Sequence, residues 1–198
     1  MNIHNSFAKF IFFSIFPFFH ILFFLTFAKN EFLYYLFTSI ENQIFQNMIA
    51  QELLNPKSIV VVGASGDTHK PGGSVLKNLI NSNFKGEIYT VNPKETEVQG
   101  IKCFQKVDDL PQVDCAIIAI AAKYCPATVN TLAFEKGTKG FIIVSAGFGE
   151  ENEQGAEFER QIVETVNKVG GSLIGPNCTG FLNRNYCGAF DAPIPTLD

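Results

Sequence analysis

From residue 58 onward, short apolar runs alternate with amphipathic stretches, and the alternation predicts the elements. Ile59–Val62 is a β-branched run of the length of a buried strand. Gly73–Asn81 carries Val75, Leu76, Leu79 and Ile80 on one helical face. Glu87–Val91 reads as a second strand, stopped by Asn92-Pro93. A small strand follows at Ile101–Phe104, then a helical turn at Val107–Leu110. Cys115–Ile120 is a third buried run, Tyr124–Lys136 a helix ending at Gly137, and Gly140–Val144 a further strand. Glu153–Val169 is a long amphipathic helix stopped by Gly170-Gly171, and Ser172–Ile174 a last short strand. Strands alternating with helices predict right-handed βαβ units and an α/β fold with a doubly wound, mostly parallel sheet.

The first 47 residues follow no such pattern. "FAKFIFFSIFPFFHILFFLTFAKNEFLYYLF" holds most of the 21 phenylalanines, and no charge interrupts Phe10 to Ala28. A run of about 20 apolar residues is long enough to cross a bilayer as a helix. Lys9 and Lys29 flank it symmetrically, so charge sets no orientation. Two readings stay open. The segment is a membrane anchor for a cytoplasmic domain, or it is translated upstream sequence and the working protein starts at Met48, just before "IAQELLNPKSIVVVGAS". Residues 48–190 then form the α/β domain, and residues 191–198 lie beyond it.

Composition adds two exclusions. The formal net charge of −4 gives no support to a nucleic-acid role. The five cysteines, Cys103, Cys115, Cys125, Cys178 and Cys187, include no C-x-x-C pair and no histidine at metal-ligand spacing. They read as reduced thiols of a cytoplasmic protein, with no metal site.

In a doubly wound sheet, ligands lie beyond the carboxyl ends of the strands. Four of these ends carry suggestive chemistry. After the first come Gly63, Ala64, Ser65 and Gly66, with Lys70, Gly72, Gly73 and Ser74 at the opening of the helix. Glycines let backbone N–H groups approach an anion, the helix start adds a positive dipole end, and Lys70 adds a charge. A pyrophosphate fits, although the G-x-G-x-x-G spacing is absent. After the second strand comes Asn92-Pro93-Lys94. NAD enzymes place an acid there for the ribose hydroxyls, whereas an ammonium favours a phosphate on that ribose. NADP and coenzyme A both carry one. Taken alone, Lys94 reads more readily as a solvated turn residue, because most lysines lie at the surface. The third end is "IAIAAKYCP" and the fourth "VSAGFGE", where small residues leave room for a flat ring or a pantetheine arm.

Five stretches occur in order: "GASGDTHKPGGSVLKNL", "YTVNPKETEVQGIKCF", "DDLPQVDCAIIAIAA", "GFIIVSAGFGE" and "GPNCTGFLN". Over residues 51–190 the chain resembles the coenzyme A-binding domain of NDP-forming acyl-CoA synthetases, which is similar to the start of the succinyl-CoA synthetase alpha subunit. The resemblance implies a Rossmann-like domain and selects CoA over NADP. By motif match, Gly63, Ala64, Ser65, Lys70, Gly73 and Ser74 would hold the CoA phosphates. Asn92, Pro93 and Lys94 would meet the ribose and its 3′-phosphate. Ala119, Ile120 and Ala121 would line the nucleotide side, and Ser145, Ala146 and Gly147 the adenine or pantetheine. Pro176, Asn177 and Cys178 would stand near the thiol end. No catalytic residue is assigned: Cys178 reads as structural, and His69 does not match a phosphohistidine motif.

The resemblance also implies partners. In the family the ligase reaction runs through a phosphohistidine in a following domain, with ATP bound by a separate ATP-grasp domain or subunit. Residues 191–198 would be the truncated start of the linker to that second domain. The first expectation is thus the CoA-binding part of an ADP-forming acyl-CoA synthetase, binding CoA or acyl-CoA without turnover by itself. A stand-alone CoA-binding module is the second, and an NADP-linked dehydrogenase domain the third.

Overall fold

The structure, a computed structural model, describes residues 49–82 and 84–190. The Phe-rich segment with its two readings, and residues 191–198 read as a linker, lie outside the described residues. Among the described residues no helix is long and apolar enough to cross a membrane.

A short helix α1 (Gln51–Leu54) precedes β1 (Ser58–Val62), α2 (Pro71–Asn81) and β2 (Glu87–Val91). Then come β3 (Glu97–Val98), β4 (Ile101–Phe104), a 3-10 turn (Val107–Asp109) and β5 (Cys115–Ile118). A second 3-10 turn (Ala122–Tyr124) leads into α3 (Cys125–Glu135), followed by β6 (Gly140–Ile143), α4 (Glu153–Lys168) and β7 (Ser172–Ile174). Two last strands, β8 (Gly180–Leu182) and β9 (Cys187–Ala189), form a hairpin.

The seven-stranded sheet has the order β3-β4-β2-β1-β5-β6-β7. Every pairing in it is parallel except β3 with β4. The apolar runs are continuous because both faces of the sheet are covered. Val60, Val62, Ala116, Ile118, Phe141 and Ile143 face Val129 and Leu132 of α3 and Ile162 and Val166 of α4. Their neighbours Ile59, Val61, Ile117 and Ile142 face Val75, Leu76 and Leu79 of α2. The hairpin shares that second face: Asn78 Nδ2 donates to Ala189 O at 2.9 Å, and the buried Tyr186 hydroxyl donates to Leu53 O at 2.7 Å.

From β1 the chain steps outward through β2 to β4, then returns past β1 to β5 and steps the other way. The reversal opens a crevice at the carboxyl ends of β1 and β5, the topological switch point where such sheets bind ligands.

Several boundaries differ from expectation by one or two residues, among them these three. Strand β5 ends at Ile118 rather than Ile120. Ala119 N makes one more bond, to Val62 O at 2.8 Å, but β1 stops there and Ile120 has no strand to pair with. Helix α3 starts at Cys125, because the 3-10 turn precedes it and Pro126 lies in its first turn. Helix α2 starts at Pro71, two residues before Gly73, with proline at its first position. The sequence pattern also did not reveal α1, β3 or the hairpin.

Candidate functional site

The parallel register lines up the strand ends. Val62 pairs with Val91 and with Ile118, Ile118 with Ile143, and Ile142 with Ile174. The residues that follow, among them Gly63, Asn92, Ala119 and Gly175, therefore form one rim. From β2 to β7 the rim crosses four strand spacings, about 19 Å at the usual spacing, enough for an extended ligand.

The first loop is folded around close backbone contacts. Gly63 has φ +85°, and a Cβ on it would overlap Ala119 O. A Cβ on Gly72 would overlap Gly63 O, and one on Gly73 would overlap Asp67 O. Only glycine permits these approaches. The loop's interior is tied by Asp67 N donating to Ser65 Oγ at 3.1 Å and His69 N donating to Asp67 Oδ1 at 3.0 Å. Gly63 N–H is itself taken by Val91 O at 2.9 Å, and those of Gly73 and Ser74 by Lys70 O. The loop donors left without a partner among the described residues are the N–H groups of Ala64, Ser65, Gly66, Thr68 and Gly72. They cluster where the sheet meets the start of α2, an arrangement of free amides whose chemistry suits an anion.

The second loop leans on the first. Asn92 Nδ2 donates to Ala64 O at 2.8 Å, and Asn92 Oδ1 accepts from Lys94 N at 2.9 Å. Asn92 is thus a bracket: one end fixes the first loop, the other fixes the turn that carries Pro93 and Lys94. Lys70 and Lys94 are exposed, and neither pairs with a carboxylate among the described residues. Gln99 adds a second tie. Its Nε2 donates to Ser65 O and to Gly73 O, each at 2.9 Å.

The remaining loops complete the rim. Ala119 and Ile120 lie against Gly63, and Ala121 is exposed beside them. The strand β6 runs out into Ser145, Ala146 and Gly147. Gly147 has φ +100°, and a Cβ there would sit 3.3 Å from Ala122 Cβ. Glu150 caps this loop, its carboxylate accepting from Gly147 N at 2.8 Å and Phe148 N at 3.2 Å. The bond from Gly147 is the main reason its carboxyl titrates below the ordinary 4.5. Past β7, Asn177 N donates to Ser145 O at 2.9 Å, so the Pro176-Asn177-Cys178 turn docks on the same loop. Cys178 Sγ lies 3.3 Å from Ile143 O. Burial pushes its thiol pKa up, which keeps it protonated and a poor nucleophile.

The structure therefore brings the expected residues of all five motifs to one edge of the sheet. Sequence reasoning missed Gln99 and Glu150, which act on the loops by bonding their backbone. The "QG" turn and the acid closing "SAGFGE" were the available signals.

A parallel sheet with an amide-lined cradle at its switch point, a lysine turn beside it and a small-residue rim defines a domain that binds a phosphate-bearing nucleotide cofactor. Comparison with known proteins narrows the class: the CoA binding domain family matches residues 57–184, and this chain belongs to that family. The ADP-forming acetate–CoA ligase II of Archaeoglobus fulgidus is 46% identical over 134 residues, 67% of this chain and 20% of the relative. The alpha subunit of the ADP-forming acetate–CoA ligase II of Pyrococcus furiosus is 45% identical over 132 residues, 66% of this chain and 28% of the relative. Among solved structures, the dinucleotide-forming acetyl-coenzyme A synthetase 1 of Ca. Korarchaeum cryptofilum, in complex with phosphate and ADP, superposes with a TM-score of 0.69. Its identity is 33%, over 76% of this chain and 32% of that one. The chain thus spans between a fifth and a third of the length of these relatives.

Proposed function

We propose that this chain is the coenzyme A-binding part of an ADP-forming acyl-CoA synthetase, an acid–thiol ligase. The observation that carries the proposal is the Asn92 bracket, 2.8 Å to Ala64 O, which sets the Lys94 turn beside the phosphate loop. An NAD site would have an acid at that strand end. The residues fit CoA: unpartnered amides suit its pyrophosphate, and a free ammonium one loop away suits a ribose phosphate.

Gly63, Ala64, Ser65, Lys70, Gly73 and Ser74 form the pyrophosphate cradle. Given the bonds described above, Ala64 and Ser65 supply amides while Gly63 and Gly73 supply the space. Asn92, Pro93 and Lys94 take the ribose and its 3′-phosphate. Ala119, Ile120 and Ala121 line the nucleotide, and Ser145, Ala146 and Gly147 the adenine or pantetheine. Pro176, Asn177 and Cys178 border the thiol end. When bound, CoA supplies the thiol that accepts the acyl group. The chain's own residues bind and orient it. For the complete ligase, acyl-CoA, ADP and phosphate would interconvert with acid, CoA and ATP. A phosphohistidine domain and an ATP-grasp domain or subunit would be the partners. All five cysteines are free thiols, which suits a reducing cytoplasm.

Titration calorimetry of the full chain with CoA, dephospho-CoA and NADP tests this. CoA should bind about tenfold tighter than dephospho-CoA, and Lys94→Ala should erase the difference. Equal affinities in the parent chain would remove the role given to Lys94, and tighter binding of NADP would replace the reading.

A further inference from the structure

We propose that Gln99 is a positioning residue for the cofactor's phosphates, an inference that rests on the CoA reading above. Gln99 occupies the turn between β3 and β4 with φ +51°, a conformation non-glycine residues rarely adopt. Its carboxamide reaches back to two carbonyls eight positions apart in the chain, Ser65 O in the loop and Gly73 O in the first turn of α2. Both acceptors are carbonyls, so the amide's orientation is fixed with nitrogen toward them.

A trans peptide points its C=O and N–H in opposite directions. With Ser65 C=O held toward Gln99, the N–H of Gly66 in the same planar group faces the other way. That N–H has no partner among the described residues. A free Ser65 carbonyl could turn toward an anion and repel it. Gln99 prevents the turn, and by holding Gly73 O with the same nitrogen it fixes the spacing between loop and helix start. It acts through the backbone and needs no contact with the cofactor.

The test uses the full chain and two variants without a donor at the carbonyls, Gln99→Met and Gln99→Glu. Calorimetry gives affinities for CoA and dephospho-CoA, amide NMR follows Gly66 and Gly147 during CoA titration, and thermal melts check folding. In the parent, both amides should shift. In each folded variant CoA should bind about tenfold more weakly. The ratio of CoA to dephospho-CoA affinity should stay unchanged, because Lys94 is untouched, and the Gly66 response should vanish while that of Gly147 persists. Binding within about twofold of the parent, or weakened binding with the Gly66 response intact, overturns the positioning role. So does a parent whose Gly66 amide ignores bound CoA, whether or not the variants fold. A parent that binds neither ligand overturns the CoA reading itself, and this inference with it.

Discussion

Gly72 has no room for a methyl group, because a Cβ there would overlap the Gly63 carbonyl. Gly72→Ala must push the first loop off the start of α2. It should cost about 1–3 kcal/mol of stability by overpacking and weaken CoA binding, read by melting and calorimetry. Gly66→Ala is the control: open space surrounds that position, so stability should hardly change. Glu150 gives a pH prediction. Its carboxyl is depressed below 4.5 first by the amide of Gly147, then by its own backbone amide and that of Phe148. The stabilisation is therefore complete above the ordinary pKa and is lost as pH falls through the lowered one. Glu150→Gln should show a shallower loss of melting temperature than the parent on the acid side of 4.5, and equal slopes there would contradict the cap. At this scale the sequence exposed Lys94 and the loop glycines, since residue type and place after a strand carry their meaning. Gln99 stayed hidden, because its two bonds depend on a left-handed turn that brings distant backbone to it. Within the loop, Gly63, Gly73 and Ser74 bond their amides inside the fold, and those of Ala64, Ser65 and Gly66 have no partner among the described residues.

At the scale of elements, the long periodic segments were legible. Strand β1, helices α2 and α4 and strand β2 stand within two residues of where apolar spacing puts their ends, because burial on one or both faces writes the pattern. The β8–β9 hairpin was not legible, since three-residue strands carry too few positions for a period to show. It matters for stability. Tyr186 is buried, its ring packs edge-on to Phe84 at 6.1 Å, and its hydroxyl donates to Leu53 O. Leu53 lies by Gly140, at the amino end of β6, so this bond is remote from the cofactor rim. Tyr186→Phe leaves the Leu53 carbonyl without that donor. It should lower stability by about 1–3 kcal/mol in denaturant unfolding while the CoA affinity stays the same. A matching fall in affinity would show that the hairpin supports the rim directly.

For the whole molecule, the alternation of strands and helices foretold a doubly wound sheet, and the order β3-β4-β2-β1-β5-β6-β7 realises it with the switch point at β1 and β5. Which cofactor fills the crevice did not follow from alternation. A lysine turn beside an amide-lined loop suits CoA and NADP alike, and it took the five motifs in order to separate them. The ligase proposal makes its own demand. Combined with a phosphohistidine domain and an ATP-grasp subunit, the chain should support ATP formation from an acyl-CoA, ADP and phosphate with release of the acid and CoA, and Lys94→Ala should raise the acyl-CoA concentration required. The most direct measurement is a crystal structure of the chain with CoA. The account predicts the pyrophosphate against the amides of Ala64, Ser65 and Gly66, and the 3′-phosphate beside Lys94 Nζ. A 3′-phosphate in open solvent, or density for CoA anywhere other than the carboxyl rim, would contradict it.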